Sequence, residues 1–238
     1  MSITTEYGRL CNQIIRNLCV SLVAEKNDLY VQYASYDRIQ RLGIPLYIGN
    51  QSYQSTIDLT DDNFFDILAI DNIHANVHAN SHFFQTKEIT NFLKSYLHRN
   101  IQSIMNVNPH KDRYQKNNDC FVHVRLSDTA ERNPGITYYR KAINSIQYDT
   151  LYIGTDQPDH PIILELVAEY NARVVEYDEV ETIQFASTNK HVILSHGSYS
   201  AVIGYLSYFS DVYYPMYEPS KQWYGDMFSI PQWTRIEF

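Results

Sequence analysis

From Cys120 onward, short apolar runs alternate with amphipathic segments, and this order constrains the fold more than any other feature of the sequence. Cys120–Val124, Leu151–Gly154, Val174–Tyr177, His191–Leu194 and Val212–Tyr214 read as strands. Thr137–Ile146, Pro161–Tyr170 and a segment from about Ser198 to Tyr208 carry apolar residues at helical spacing between them. Strands that are apolar on both faces, separated by single helices, make a parallel sheet covered on both sides. Residues 111–238 are therefore expected to form a Rossmann-like half.

The first half is less regular. A Gly-containing loop, Tyr7–Leu10, opens a helix in which Ile14, Ile15, Leu18, Leu22 and Val23 share a face. Leu29–Tyr33 reads as a strand, and Lys87–Met105 as the longest amphipathic helix. The polar stretch Asn106–Asn118, with one Pro, marks the junction after an N-terminal α/β half over residues 1–110. The expected class is α/β, with a Rossmann-like half following this less regular α/β half.

A chain of 238 residues, 44% apolar and 19% charged, can bury a sizeable core. Its formal charge of -8 argues against a nucleic-acid partner, which would call for a basic face. A single phosphate ligand stays possible, because one Arg and a helix N-terminus bind it locally. Three cysteines, Cys11, Cys19 and Cys120, are too scattered for a disulfide framework or a zinc site. No run approaches the roughly 20 apolar residues of a membrane span. Met1–Glu6 lacks the basic-then-apolar pattern of a leader, so the expectation is a cytoplasmic protein.

Four segments could carry chemistry. His123-Val124-Arg125-Leu126-Ser127-Asp128 leaves the carboxyl end of a strand, where open α/β sheets bind ligands. Arg125 there can hold a diphosphate, and Asp128 can orient it or act as a base; a surface ion pair between the two is the plain alternative. Ser195-His196-Gly197-Ser198-Tyr199-Ser200 enters a helix and offers amides and hydroxyls to phosphate, or serves only as a cap. Gly8-Arg9-Leu10-Cys11-Asn12-Gln13 opens the first helix, with amides suited to sugar hydroxyls or to capping. Gly154-Thr155-Asp156-Gln157-Pro158-Asp159 follows a strand; Asp156 can meet a nucleotide's base or ribose, or simply make a turn. There is no Asp-x-Asp triplet, no P-loop, no dinucleotide fingerprint and no nucleophile elbow. His74, His78 and His82 recur four apart, but their Asn-rich surroundings favour a solvated segment, and no metal is expected.

In order along the chain, these segments resemble the alpha-1,2-fucosyltransferases and their wider superfamily. Gly8–Gln13 is similar to the family's Gly-Arg-Leu-Gly-Asn-Gln, and His123–Asp128 to its His-x-Arg-Arg-x-Asp. Tyr138-Tyr139-Arg140-Lys141-Ala142-Ile143 is similar to a Tyr-Tyr-x-Lys-Ala-Ile helix. Leu151–Asp159 resembles a strand ending in Ser/Thr-Asp-x-Pro, Ser195–Ser200 an Asn-Ser-x-Phe-Ser segment, and Ile230–Ile236 a Pro-x-x-Trp close. The resemblance implies a GT-B-like fold of two Rossmann-like α/β halves facing a cleft, and an inverting, metal-independent glycosyltransferase with no cofactor beyond its donor, GDP-fucose. Residues 1–110 would face the glycan acceptor and residues 111–238 the nucleotide sugar. Arg125 would stabilise the departing diphosphate, with Asp128 or Glu131 as a base. Gly8, Asn12, Gln13, His123, Asp156, Ser198, Tyr199 and Ser200 would line the donor.

The chain also departs from the pattern. Leu126 stands at the second hallmark Arg, Cys11 at a Gly, and His196-Gly197 in the Ser-rich segment. These changes keep open a different nucleotide sugar, or a glycan- or nucleotide-binding protein without turnover. A cytoplasmic enzyme of this kind would build a bacterial or viral glycan.

Overall fold

The computed structural model describes residues 1–80, 82–128, 130–216 and 225–238. The fold is α/β, and the chain divides into two compact units. One comprises Met1–Ile104 with Tyr224–Met227, the other Met105–Trp223 with Phe228–Phe238.

The first unit contains β1 (Ser2–Thr4), α1 (Leu10–Asn27), β2 (Val31–Gln32), α2 (Tyr36–Arg41), β3 (Thr56–Asp58), α3 (Phe64–Ala69), β4 (Asn76–Ala79) and α4 (Lys87–Arg99). Its four strands are all parallel, in the order β2-β1-β4-β3. Helix α1 is buried along most of its length, with Ile14, Ile15, Leu18, Cys19 and Val23 in the core. It stops at Asp28, which takes a left-handed φ of 51° and returns its N–H to the Ala24 carbonyl.

Three expectations change here. The long helix after Lys87 breaks at Asn100, whose amide donates to the Tyr96 carbonyl (2.9 Å) while its N–H reaches the Leu97 carbonyl (3.0 Å). A side chain that satisfies the last carbonyls ends one helix, and α5 (Ile101–Val107) starts anew. Leu29–Tyr33 forms a strand only over Val31–Gln32, with Leu29 in an isolated parallel bridge to Gln51. The Asn-rich segment around His78 is no solvated stretch: it forms β4, with Val77 and Ala79 fully buried. Asn76 fits because its amide pairs with Tyr53 backbone, accepting from the N–H (3.0 Å) and donating to the carbonyl (2.6 Å). A polar residue then costs a buried strand little.

The second unit runs β5 (Cys120–Val124), α6 (Ile136–Asn144), β6 (Leu151–Thr155), α7 (Pro161–Tyr170), β7 (Arg173–Val174), α8 (Glu179–Ala186), β8 (His191–Ile193), α9 (Gly197–Leu206), β9 (Asp211–Pro215) and β10 (Thr234–Ile236). All neighbouring strands pair in parallel, in the order β10-β9-β8-β5-β6-β7. Counted from β5, this is the 3-2-1-4-5-6 order of a doubly wound nucleotide-binding sheet. Val174–Tyr177 pairs only at Val174, because Asp178 caps a helix the sequence reading had not placed. The Asp178 carboxylate accepts from the Val180 and Glu181 amides at 2.9 and 2.8 Å. The closing Trp233 packs on α9 at Gly204, where a Cβ would lie 2.5 Å from the indole.

Candidate functional site

In the second unit the strand order reverses between β5 and β8. The chain winds outward from β5 through β6 to β7, then returns to β8 on the other side. At such a reversal the connections leave the sheet in opposite directions and open a crevice at the carboxyl ends. Two loops emerge there, Arg125–Asp128 after β5 and Leu194–His196 after β8.

Arg125 leans on the amino end of α9. Its guanidinium lies against Gly197, whose φ is +80° and where a Cβ would sit 2.7 Å from Nη1. No side chain caps α9, whose N-cap is His196. Arg125 Nη2 donates to Asp128 Oδ1 at 2.9 Å, while Nε is buried and has no hydrogen-bond partner among the described residues. An unmet donor on a charged group costs on the order of 1–3 kcal/mol or more, so this nitrogen calls for an explanation that the described contacts do not supply. The positive end of α9 and a guanidinium converge on one spot, an arrangement suited to an anion.

Most of the other residues singled out in the sequence hold these two loops in place. Asp156, at the end of β6, accepts from the Leu126 amide (2.9 Å), the Ser127 amide (3.3 Å) and the Ser127 hydroxyl. Burial pushes its carboxyl pKa up, but those donors outweigh it and keep it below the ordinary value. Asp156 is thus spent on the backbone of the arginine loop. Ser200 is fully buried; its hydroxyl accepts from the Ser195 N–H (2.8 Å) and pairs with His123 Nδ1 (2.6 Å). It locks the α9 loop from beneath, a role for which phosphate contact is unnecessary. Ser198 is also largely buried. Tyr199 donates to the Glu179 carbonyl (2.6 Å), and its ring centroid lies 5.0 Å from that of His123.

The Tyr138-Tyr139 pair completes the scaffold. Tyr138 donates to the Leu194 carbonyl (2.7 Å), and Tyr139 pairs with the Ser195 hydroxyl (2.9 Å). Asn133 donates to the Arg125 carbonyl (2.8 Å) and to the Tyr139 hydroxyl (2.9 Å). Asn133 and Tyr139 are therefore parts of the site not expected from the sequence, whereas Ser195 and Gly197 lie within a segment already singled out there. A signal for Tyr139 existed in its motif; none existed for Asn133.

Two imidazoles flank Arg125. Burial lowers His123 to a pKa of about 3, with His196 and Arg125 adding repulsion. Burial lowers His196 to about 4, with Arg125 and Arg132 contributing. Both are neutral at physiological pH, so the positive charge here comes from Arg125, Arg132 and the helix end.

The remaining candidates make other contacts. Glu131 is largely exposed, 3.7 Å from Arg132. Leu126 is buried in the apolar core with Tyr138 and Ile153, so its side chain offers nothing to a ligand. Gly8, Asn12 and Gln13 belong to the first unit. Gly8 takes a φ of +79° against the Asn12 amide, which accepts from Gln85 (2.8 Å); the buried Gln13 amide donates to the Tyr7 and Gly8 carbonyls at 2.8 and 3.2 Å.

That loop is fixed by Arg16, a fully buried residue outside the sequence candidates. Its Nε donates to His82 O (3.0 Å), Nη1 to Thr5 O (2.7 Å), and Nη2 to Asn80 O (3.1 Å) and Ala79 O. All three nitrogens are spent on chain leaving the carboxyl ends of β1 and β4. Among the described residues, no group of three or more His, Cys, Asp or Glu side chains is placed to hold a metal ion. No described helix is long and apolar enough to cross a membrane.

No protein-family model matches the chain, and no curated protein matches its sequence. Among solved structures, it is similar to a crystal structure of POFUT1 in complex with GDP at a TM-score of 0.44 and 11% identity, over 88% of this chain and 95% of that one. A second crystal form of POFUT1 in complex with GDP is similar at a TM-score of 0.46 and 10% identity, over 90% and 97% of the two chains.

Proposed function

We propose that the chain is a metal-independent, inverting glycosyltransferase that binds the diphosphate of a nucleotide sugar at Arg125 and the amino end of α9. The observation that carries this reading is the Arg125 guanidinium, with its buried, unpartnered Nε, packed on an uncapped helix at the switch point of a doubly wound sheet. The six ordered motifs, which resemble those of the alpha-1,2-fucosyltransferases, support GDP-fucose as donor and a glycan hydroxyl as acceptor.

In this mechanism the acceptor oxygen attacks the anomeric carbon as its bond to the β-phosphate oxygen breaks. Negative charge then grows on the departing diphosphate. Arg125 and the α9 dipole are oriented before the reaction, so they stabilise that charge without reorganising. The neutral His123 and His196 keep the surroundings low in competing positive charge and hold the loop through Ser200 and Ser195. The acceptor proton needs a base. Asp128 is in direct contact with the guanidinium, whereas Glu131 is largely solvated beside Arg132, so Asp128 is the base this reading favours.

A thermal-shift panel without metal tests the donor class, because a ligand bound only to the native state raises Tm by mass action. The expected result is selective stabilisation by GDP and GDP-fucose over UDP and ADP, with slow release of fucose from GDP-fucose that survives EDTA. Selective stabilisation by UDP would replace fucose with another sugar. GDP binding without any donor hydrolysis would favour a binding protein. Activity lost to EDTA and restored by Mg²⁺ or Mn²⁺ would sink the metal-free mechanism.

A further inference from the structure

We propose that Gly197 is a positioning residue for Arg125: the absence of a side chain there lets the guanidinium lie against the first turn of α9. The inference rests on the reading that Arg125 binds a diphosphate. It adds the residue that sets where the charge sits.

Two separate constraints act at this position. Its φ of +80° is a left-handed conformation that favours glycine, though Asn also tolerates that region. The second constraint is contact. A Cβ at Gly197 would stand 2.7 Å from Arg125 Nη1, closer than a carbon and a nitrogen can approach, and within 4.0 Å of Arg125 Cζ and Cδ. Every atom that crowds this position belongs to the arginine side chain. Backbone conformation alone would accept Asn; the guanidinium accepts nothing larger than hydrogen.

The atoms that would have to give way are the end of a long side chain, not the backbone. A Cβ would therefore be accommodated by moving the guanidinium off the helix end while the fold stays intact. Moving it matters because of what surrounds it. Nη2 is held by Asp128, the Arg125 carbonyl by Asn133, and Nε stays buried without a partner. The arginine is fixed at its root and at one nitrogen, so it pivots out of register with α9 instead of finding an equivalent pose.

The experiment separates contact from conformation. Gly135 is the control: its φ is +85°, and a Cβ there meets nothing within 4 Å. Calorimetry measures GDP and guanosine binding to the wild type, Gly197→Ala, Gly197→Asn, Gly135→Ala, and Gly197→Ala combined with Arg125→Ala. The expected Tm of Gly197→Ala lies no lower than that of Gly135→Ala, since both positions have a positive φ and the ψ of 165° at Gly135 is the harsher for a side chain. GDP should bind Gly197→Ala and Gly197→Asn at least tenfold more weakly than wild type, with guanosine binding unchanged. In the Arg125→Ala background, Gly197→Ala should cost no further GDP affinity. Equal GDP affinity in wild type, Gly197→Ala and Gly197→Asn would overturn the positioning role and leave the diphosphate reading standing. Equal losses for GDP and guanosine, a further loss in the Arg125→Ala background, or unfolding of both Gly197 variants would show a structural role instead. Absence of GDP binding by the wild type would remove the diphosphate reading, and the inference with it.

Discussion

The two units each place one arginine at the carboxyl ends of a parallel sheet, and the two are in opposite states. Arg16 is fully buried with no carboxylate among its partners, and its three nitrogens are spent on backbone carbonyls and the Gln13 amide oxygen. Arg125 is partly exposed, makes one ion pair, and keeps Nε buried and unpaired beside an open helix end. The same side chain is a structural tie in one place and, in the function proposed above, an anion ligand in the other. What distinguishes them is whether their donors are used up, not their residue type or their position relative to a sheet.

The comparison breaks most visibly at Arg16. Arg16→Leu leaves the carbonyls of Thr5, Ala79, Asn80 and His82 without this donor in a buried or partly buried setting. The expected loss is about 3–5 kcal/mol of stability by urea unfolding, a large share of the roughly 5–15 kcal/mol of a typical domain. A variant that keeps near wild-type stability would mean that water or neighbouring donors replace the guanidinium. Arg125→Ala should do the reverse: GDP affinity falls roughly 100-fold, as expected for charge-assisted bonds, while Tm stays within a few degrees. Collapse of the fold in that variant would place Arg125 in the same class as Arg16.

Acid sharpens the contrast, because the two buried imidazoles with strongly lowered pKa, His123 and His196, belong to the Arg125 region. Their folded-state values, about 3 for His123 and about 4 for His196, lie below the ordinary value of 6.5. The unfolded chain therefore takes up protons first as pH falls. Stability is complete above about pH 6.5 and declines below it by about 1.4 kcal/mol per pH unit per histidine, until each folded-state pKa is passed. Urea midpoints measured from pH 7 to 4 should show this slope, and His123→Gln should remove one proton's share of it. The smallest expected effect is Tyr139→Phe, which deletes the hydroxyl shared by Ser195 and Asn133. A loss of about 1 kcal/mol in stability with a severalfold loss of GDP affinity would fit a buttress; unchanged affinity would mean the two loops hold without it.

The second unit was far more legible in the sequence than the first. Its strands are continuous apolar runs flanked by turn residues, so β5, β6, β8 and β9 fall within a residue or two of expectation. The first unit's strands are only two to four residues long and include Asn76 and Ser2, whose side chains bond backbone at Tyr53 and Val77. Such strands leave no periodic signal. At the site, Arg125 was legible because it follows a strand and sits in a recognisable motif. Asp156 and Ser200 were legible as motif members but turn inward, a distinction that depends on partners far apart in sequence. Gly197 read as a departure from a Ser-rich pattern; only its contact with Arg125 gives it a role.

The most direct test of the account is a metal-free calorimetric titration of GDP into the wild type and Arg125→Ala, with unfolding curves on the same samples. The account predicts one GDP site per chain in the wild type, its affinity cut by about two orders of magnitude in the variant, and nearly superimposable unfolding curves. Equal GDP affinity in the two proteins, or a variant that no longer folds, would contradict the claim that Arg125 is held ready for an anion.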